Sequence, residues 1–310
     1  MSEHSTLACV FPGQGSQSVG MLSELAAEFS VVNDTFSQAS DALGYDLWAV
    51  TQSDADGKLN QTQVTQPALL TASVATWRVL REHITQPALL AGHSLGEYSA
   101  LVCAEVIAFE DAVKLVEKRG EFMQSAVPAG AGAMFAIIGL DDDKIAHICA
   151  EVSQQTGKVA AAVNFNSPGQ VVIAGDAQAA EMAAQQCKDA GAKRALPLPV
   201  SVPSHCALMK PAAEQLSELL KDITFNTPVI SVINNVDVDT PIEPQAIKDA
   251  LIRQLYCPVR WTESVQAMAQ QGITEMLEVG PGKVLTGLVK RIDRTLQCKA
   301  INVPADISAE

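Results

Sequence analysis

Five consecutive residues, Gly92-His93-Ser94-Leu95-Gly96, have the types and spacing for nucleophilic chemistry. A serine at the apex of a sharp turn, with a glycine two positions to either side, stands clear of the backbone while strand and helix approach closely. The apolar run Ala88-Leu89-Leu90-Ala91 precedes the turn, and a segment with amphipathic character, residues 97–105, follows it. The expected local structure is therefore strand, turn and helix. Ser94 then lies at a helix N-terminus, where unsatisfied N–H groups and the helix dipole favour a developing negative charge. Gly-x-Ser-x-Gly also occurs in ordinary turns, so a nucleophile requires a base nearby.

Histidine is the usual base for a serine nucleophile, and the chain has five. His4 is in the N-terminal segment, His83 and His147 fall in or near polar helical stretches, and His93 is inside the turn, where its side chain should diverge from Ser94. His205, in Pro203-Ser204-His205, follows an apolar strand candidate and precedes a helix. Active sites of α/β sheets gather at strand C-termini, which makes His205 the preferred base. No carboxylate is singled out as the third group that would orient it. Cys206 beside His205 reads as a structural thiol, since adjacent side chains rarely point at one another.

A second signal comes from the helical pattern over 109–126. At roughly 100° per residue, Phe109, Ala112, Val113, Leu115, Val116, Gly120, Phe122 and Met123 share one arc, opposite Glu110, Asp111, Lys114, Glu117, Lys118 and Glu121. Arg119 falls inside the apolar arc. A buried guanidinium is costly unless paired, so an anionic partner is expected, either an internal carboxylate or a ligand. Arginine keeps its charge when buried and grips a carboxylate through two parallel hydrogen bonds.

Strands and helices alternate in the elements that must position these residues. Apolar strand candidates cover 7–11, 88–91, 133–139, 170–174, 195–200, 229–233 and 275–279. Helical patterns between them include 20–29, 66–81, 109–126, 141–154, 178–190, 209–221 and 262–270. This order implies an α/β architecture with a mostly parallel sheet. From 128 to 199 the order is strand, helix, strand, helix, strand, bounded by Pro128-Ala129-Gly130 and Pro197-Leu198-Pro199. That segment reads as a small α+β subdomain inserted between 1–127 and 200–310, with a ligand cleft between the two units.

The 310 residues are 48% hydrophobic and 18% charged, as in globular proteins. No apolar run approaches the ~20 residues that cross a bilayer, and the N-terminal residues, with Glu3 and the short apolar stretch 7–11, do not read as a secretory leader. Seven scattered cysteines without a Cys-x-x-Cys pair argue for reduced thiols and against a zinc site. A cytoplasmic protein is expected. With 21 Lys plus Arg against 35 Asp plus Glu, the net charge of −14 disfavours nucleic-acid binding. Phe11-Pro12-Gly13-Gln14-Gly15-Ser16-Gln17 and Gly280-Pro281-Gly282-Lys283-Val284 fail the dinucleotide and P-loop patterns. As backbone-rich loops after strands they suit another role, and the first can aim an N–H at an oxyanion.

Together these segments resemble a family. Phe11 to Gln17, Gly92-His93-Ser94-Leu95-Gly96-Glu97, Arg119, Asn164-Phe165-Asn166-Ser167-Pro168-Gly169-Gln170, Pro203-Ser204-His205 and Glu278-Val279-Gly280-Pro281-Gly282 occur in the order found in malonyl-CoA:acyl carrier protein transacylases of bacterial type II fatty acid synthesis. The resemblance covers about 5–303. It implies an α/β-hydrolase-like core with a ferredoxin-like insertion. It implies Ser94 as nucleophile, His205 as base, Arg119 as the grip on the malonyl carboxylate, and the backbone N–H groups of Gln14 and Leu95 as the oxyanion hole. It also implies that the main-chain carbonyl of Gln254 orients the histidine in place of an aspartate. The implied substrates are malonyl-CoA and the phosphopantetheine thiol of acyl carrier protein. Only an acyl group moves, so no metal or redox cofactor is expected, and a monomer is the default.

Acyl carrier proteins are acidic, as is this chain, so docking is expected on a local basic patch drawn from Lys193, Arg194, Lys283, Lys290, Arg291 and Arg294. A serine esterase or thioesterase shares the nucleophile turn. The lack of an evident triad acid and the arginine on the apolar arc speak against that reading, and a non-catalytic acyl-CoA-binding module is the other alternative.

Overall fold

The computed structural model describes residues 5–200 and 202–307. Its core is a five-stranded parallel sheet built from β1 (Leu7–Phe11), β2 (Leu89–Gly92), β7 (Ser231–Ile233), β8 (Glu275–Val279) and β9 (Gln297–Ile301), in the order β7-β2-β1-β8-β9. Strands buried on both faces read as continuous apolar runs, and all five residues of β1 are buried. Alternate residues serve opposite faces. Cys9 and Phe11 pack with Leu69, Leu70, Leu115 and Val116 of helices Thr62–Leu80 and Phe109–Ser125. Ala8 and Val10 pack on the other face with Trp261, Val265, Leu285 and Leu288.

A second sheet holds β3 (Gly132–Ile138), β4 (Ala160–Ser167), β5 (Gln170–Asp176) and β6 (Arg194–Pro197), antiparallel throughout, in the order β4-β5-β3-β6. Helices Asp142–Thr156 and Ala177–Asp189 cover one face. The sequence order strand-helix-strand-strand-helix-strand is the ferredoxin-like arrangement. The fold is thus mixed α/β, with a parallel sheet and a separate antiparallel one.

Several elements differ from the sequence expectation. β4 was not among the strands expected from periodicity. Its register slips between Ala162 and Asn164 and again between Phe165 and Ser167, and such bulges break the alternation that marks a strand. β9 also escaped the sequence pattern, because it is an edge strand mostly half-buried. β6 stops at Pro197, as Pro197 and Pro199 have no N–H to continue a ladder. The helix after the serine turn, Leu95–Cys103, is not amphipathic. It is buried almost all round, Glu97 included, so a polar residue there belongs to the interior.

β4 attaches the small sheet to the core. Val259 N–H donates to the Val163 carbonyl at 2.8 Å and Phe165 N–H to the Val259 carbonyl at 3.0 Å. Thr262 Oγ1 donates to the Phe165 carbonyl at 3.0 Å. A cleft between the units opens above the C-terminal ends of the parallel strands. No helix among the described residues is long and apolar enough to cross a membrane.

Candidate active site

The turn after β2 is built by contact. A Cβ on Gly92 would lie 1.9 Å from the Gly96 carbonyl carbon, and one on Gly96 would lie 2.0 Å from the Phe11 carbonyl oxygen. The two glycines therefore let strand and helix close on each other, and this closure forces Ser94 to φ 52° and ψ −108°. Such a backbone is rare for a residue with a Cβ and persists only where surroundings hold it. Asn235, just past β7, supplies the hold: its Oδ1 accepts from Ser94 N–H at 2.7 Å and its Nδ2 donates to the Gly92 carbonyl at 2.7 Å.

Ser94 Oγ lies 2.8 Å from His205 Nε2, and His205 Nδ1 lies 2.7 Å from the Gln254 main-chain oxygen. A carbonyl can only accept, so Nδ1 carries the proton and Nε2 presents its lone pair to the serine hydroxyl. Burial above all, then the Arg119 charge, pushes the His205 pKa down to about 3, against the opposing pull of the Gln254 carbonyl. The imidazole is neutral at physiological pH, as a base must be. His205 itself has φ 61°, and its N–H is held by the Leu255 carbonyl at 3.0 Å.

Arg119 is 1% exposed. Its Nη1 donates to Gln66 Oε1 at 2.8 Å, and its Nη2 donates to Gln254 Oε1 at 2.9 Å and more weakly to Ser94 Oγ at 3.4 Å. Tyr98 lies under the guanidinium, 5.2 Å from its centre, and Nε has no hydrogen-bond partner among the described residues. All these acceptors are neutral. Of the two partners the sequence left open, no carboxylate among the described residues makes direct contact, and the guanidinium borders a cleft of about 470 Å³ that also holds Ser94 and His205. The small sheet lends Met134 and Asn164 to this cleft, and the core lends Met123, Gln14 and Leu95.

Leu95 opens its helix, so its N–H has no intrahelical acceptor. Gln14 follows β1 in the loop whose Gly13 abuts the His93 carbonyl, where a Cβ would sit 2.4 Å away. Gln14 Oε1 accepts from Thr62 Oγ1 at 3.1 Å. The structure thus brings Gln14, Ser94, Leu95, Arg119, His205 and Gln254 to one place.

Three neighbouring residues were missed by sequence reasoning. Gln66 holds Arg119, Asn235 holds the serine turn, and the carboxylate of Glu97 accepts from Asn235 N–H at 2.9 Å and Gln254 Nε2 at 2.8 Å. Asn235 stands just beyond an apolar strand, where site residues collect, which was the available signal. Burial pushes the Glu97 pKa up to about 7, with hydrogen bonds from Gln254 and Asn235 pulling the other way.

The other histidines and Cys206 are engaged elsewhere. His93 turns from Ser94, as expected, to put Nε2 2.7 Å from Asn166 Oδ1 and its ring against Trp261. His83 packs edge-on to Phe29, His147 meets Glu151, and His4 lies outside the described residues. Cys206 is buried, donates to the Pro203 carbonyl, and has its pKa raised to about 11 by burial, so it is no nucleophile. Lys193, Arg194, Lys283, Lys290, Arg291 and Arg294 are all exposed. Arg194 pairs across β3 with Ile138, which pairs in turn with Gln170, and Arg291 donates to Gln170 Oε1. Arg194 and Arg291 therefore border the same end of the small sheet.

Residues 8–304 match the acyl transferase domain family. The chain is 64% identical over 303 residues to the malonyl CoA-acyl carrier protein transacylase of Salmonella typhimurium, covering 97% of each. It is similar to the crystal structure of an acyl carrier protein S-malonyltransferase from Vibrio cholerae, with TM-score 0.96, 63% identity, and 98% and 99% of the two chains covered. A malonyl-transacylase in complex with its type II PKS acyl-carrier protein superposes with TM-score 0.96 at 58% identity, covering 98% of each chain.

Proposed function

The chain belongs to the acyl transferase family, among the malonyl CoA-acyl carrier protein transacylases, and from that premise we propose that it moves a malonyl group from CoA to acyl carrier protein through an ester on Ser94. Ser94 Oγ attacks the thioester carbonyl as its proton passes to His205 Nε2. The carbonyl oxygen becomes an oxyanion facing the N–H groups of Gln14 and Leu95. The tetrahedral centre collapses, CoA sulfur takes the proton from His205, and the malonyl ester remains. In the second half the phosphopantetheine thiol gives its proton to His205, attacks the ester, and Ser94 recovers its proton.

The observation that carries this reading is the placing of Arg119. A buried guanidinium with only neutral acceptors stands beside the nucleophile, so a carboxylate on the acyl group supplies the charge it lacks. The neutral Gln254 carbonyl behind His205 stabilises an imidazolium less than an aspartate would. That suits a site whose ester must wait for a thiol. Docking of the acidic carrier falls to Lys193, Arg194, Lys283, Lys290, Arg291 and Arg294, and fatty acid synthesis is the pathway served.

Intact mass spectrometry after mixing with malonyl-CoA tests the reading. One malonyl increment, stable until a thiol acceptor is added and missing in Ser94→Ala, is expected. Steady release of malonate with no adduct would establish a hydrolase instead.

A further inference from the structure

We propose that Glu97 is a positioning residue, whose one carboxylate oxygen fixes both the peptide that carries the nucleophile and the residue that orients the base. The inference rests on the acyl-transfer reading above. Glu97 Oε2 accepts two hydrogen bonds, from Asn235 N–H at 2.9 Å and from Gln254 Nε2 at 2.8 Å. Through the first it anchors Asn235, whose side-chain amide clamps Ser94 N–H and the Gly92 carbonyl. Through the second it anchors Gln254, whose main-chain oxygen holds His205 Nδ1.

The orientation of the Gln254 amide is forced from both ends. Arg119 can only donate, so it takes Oε1. An ionised Glu97 can only accept, so it takes Nε2. Gln254 Nε2 also reaches the Ser94 carbonyl at 3.1 Å. Ser94, with its unfavourable φ and ψ, is thereby held at its N–H through Asn235 and at its carbonyl through Gln254, and Glu97 is the acceptor common to both. A hydroxyl 2.8 Å from its base leaves little tolerance, for misplacement by about 1 Å costs on the order of 10²-fold in rate.

What matters in this arrangement is the reach of Glu97 to its two donors, and its charge is secondary. Both bonds end on one oxygen, which a glutamine carbonyl at the same reach also supplies. Aspartate keeps the charge but withdraws the oxygen by one methylene. The test measures single-turnover acylation of Ser94 by malonyl-CoA in Glu97→Gln and Glu97→Asp, with the downfield proton resonance of His205 Nδ1–H as reporter of base orientation. Expected are a Glu97→Gln rate within about 3-fold of wild type and an unmoved resonance. Glu97→Asp should acylate about 100-fold more slowly, with the resonance displaced. The reverse ranking, or a Glu97→Asp variant as fast as wild type, overturns the proposal.

A pH profile of the wild type and Glu97→Gln serves if Glu97→Asp does not fold. The groups that bear on Glu97 are Arg119, Asp237 and Tyr98, with His93 and His205 in the adjoining cleft. Of these, burial raises Tyr98 to about 12 and lowers both histidines. Protonated Glu97 still offers Oε2 as an acceptor. The acylation rate is therefore expected to run flat through pH 7, and a limb there that vanishes in Glu97→Gln overturns the proposal by assigning the role to charge. Failure of the acyl-transfer reading is distinct, since then wild type forms no malonyl adduct at all.

Discussion

Arg119 and Glu97, both fully buried, face each other across the side-chain amide of Gln254 and do not form an ion pair. Gln254 Oε1 satisfies the guanidinium and Nε2 the carboxylate, while the main-chain oxygen of the same residue holds His205. The guanidinium keeps its full charge for a ligand because its counter-charge is one residue removed. An inserted amide thus separates a structural pairing from a binding site.

Arg119→Ala should abolish the preference for malonyl over acetyl thioesters. A charge-assisted bidentate pair supports a discrimination of about 10²-fold. Parallel acylation rates with the two thioesters check this. Lysine, a point charge without the fork, should restore only a small part.

The backbone at Ser94 is strained whatever side chain it bears. Ser94→Ala and Ser94→Gly both lose the nucleophile, yet glycine adopts φ 52° freely. Thermal melting should show Ser94→Gly more stable than Ser94→Ala by about 1 kcal/mol, after the entropic cost of glycine. Ser94→Gly melting below Ser94→Ala, as the entropic cost of glycine alone dictates, would mean the strain is absent.

Gly96→Ala should be severe, because its methyl meets a fixed backbone carbonyl 2.0 Å away. Overlap with backbone cannot be relieved by a rotamer change, so a loss of about 3 kcal/mol or more is expected, together with acylation activity. Chemical denaturation measures the first and adduct formation the second.

Glu97 also links stability to pH. Burial raises its folded-state pKa to about 7, above the ordinary glutamate value of 4.5, so the folded protein binds the extra proton between those limits. The resulting stabilisation is full below pH 4.5 and is lost as pH rises through 7. In Glu97→Gln that loss disappears. Stability relative to wild type should shift in the variant's favour between pH 5 and 8, by on the order of 3 kcal/mol. A pH-independent difference in denaturation midpoint would refute the shift.

Charge reversal at Arg194 and Arg291, which border one end of the small sheet, should raise the KM for carrier protein several-fold. The half-reaction with malonyl-CoA should be untouched. Added salt should narrow the gap between variant and wild type, since exposed charges are screened within about 10 Å at 0.1 M. A carrier KM that ignores both changes removes these residues from the docking surface.

The sequence by itself determined what depends on local spacing. The serine turn is legible because a strand, two glycines and a helix follow one another directly in the chain. Arg119 is legible because helical periodicity places it among apolar neighbours, and β1 because a strand buried on both faces is a continuous apolar run. Chemistry made by residues distant in the chain required the tertiary structure. Asn235 lies 141 positions from Ser94, and Gln254 lies 157 from Glu97. A buried amide or carboxylate looks like any surface residue until its neighbours are known. The helix bearing Glu97 reads as amphipathic, yet it is enclosed on all sides, because a central helix meets protein even on its polar face. β4 escaped for the converse reason, as its bulges fit the small sheet to the core and thereby erase its alternation. Spacing along the chain announced the nucleophile, and packing across the chain decided what holds it, what orients its base, and which buried charge is left open to a ligand.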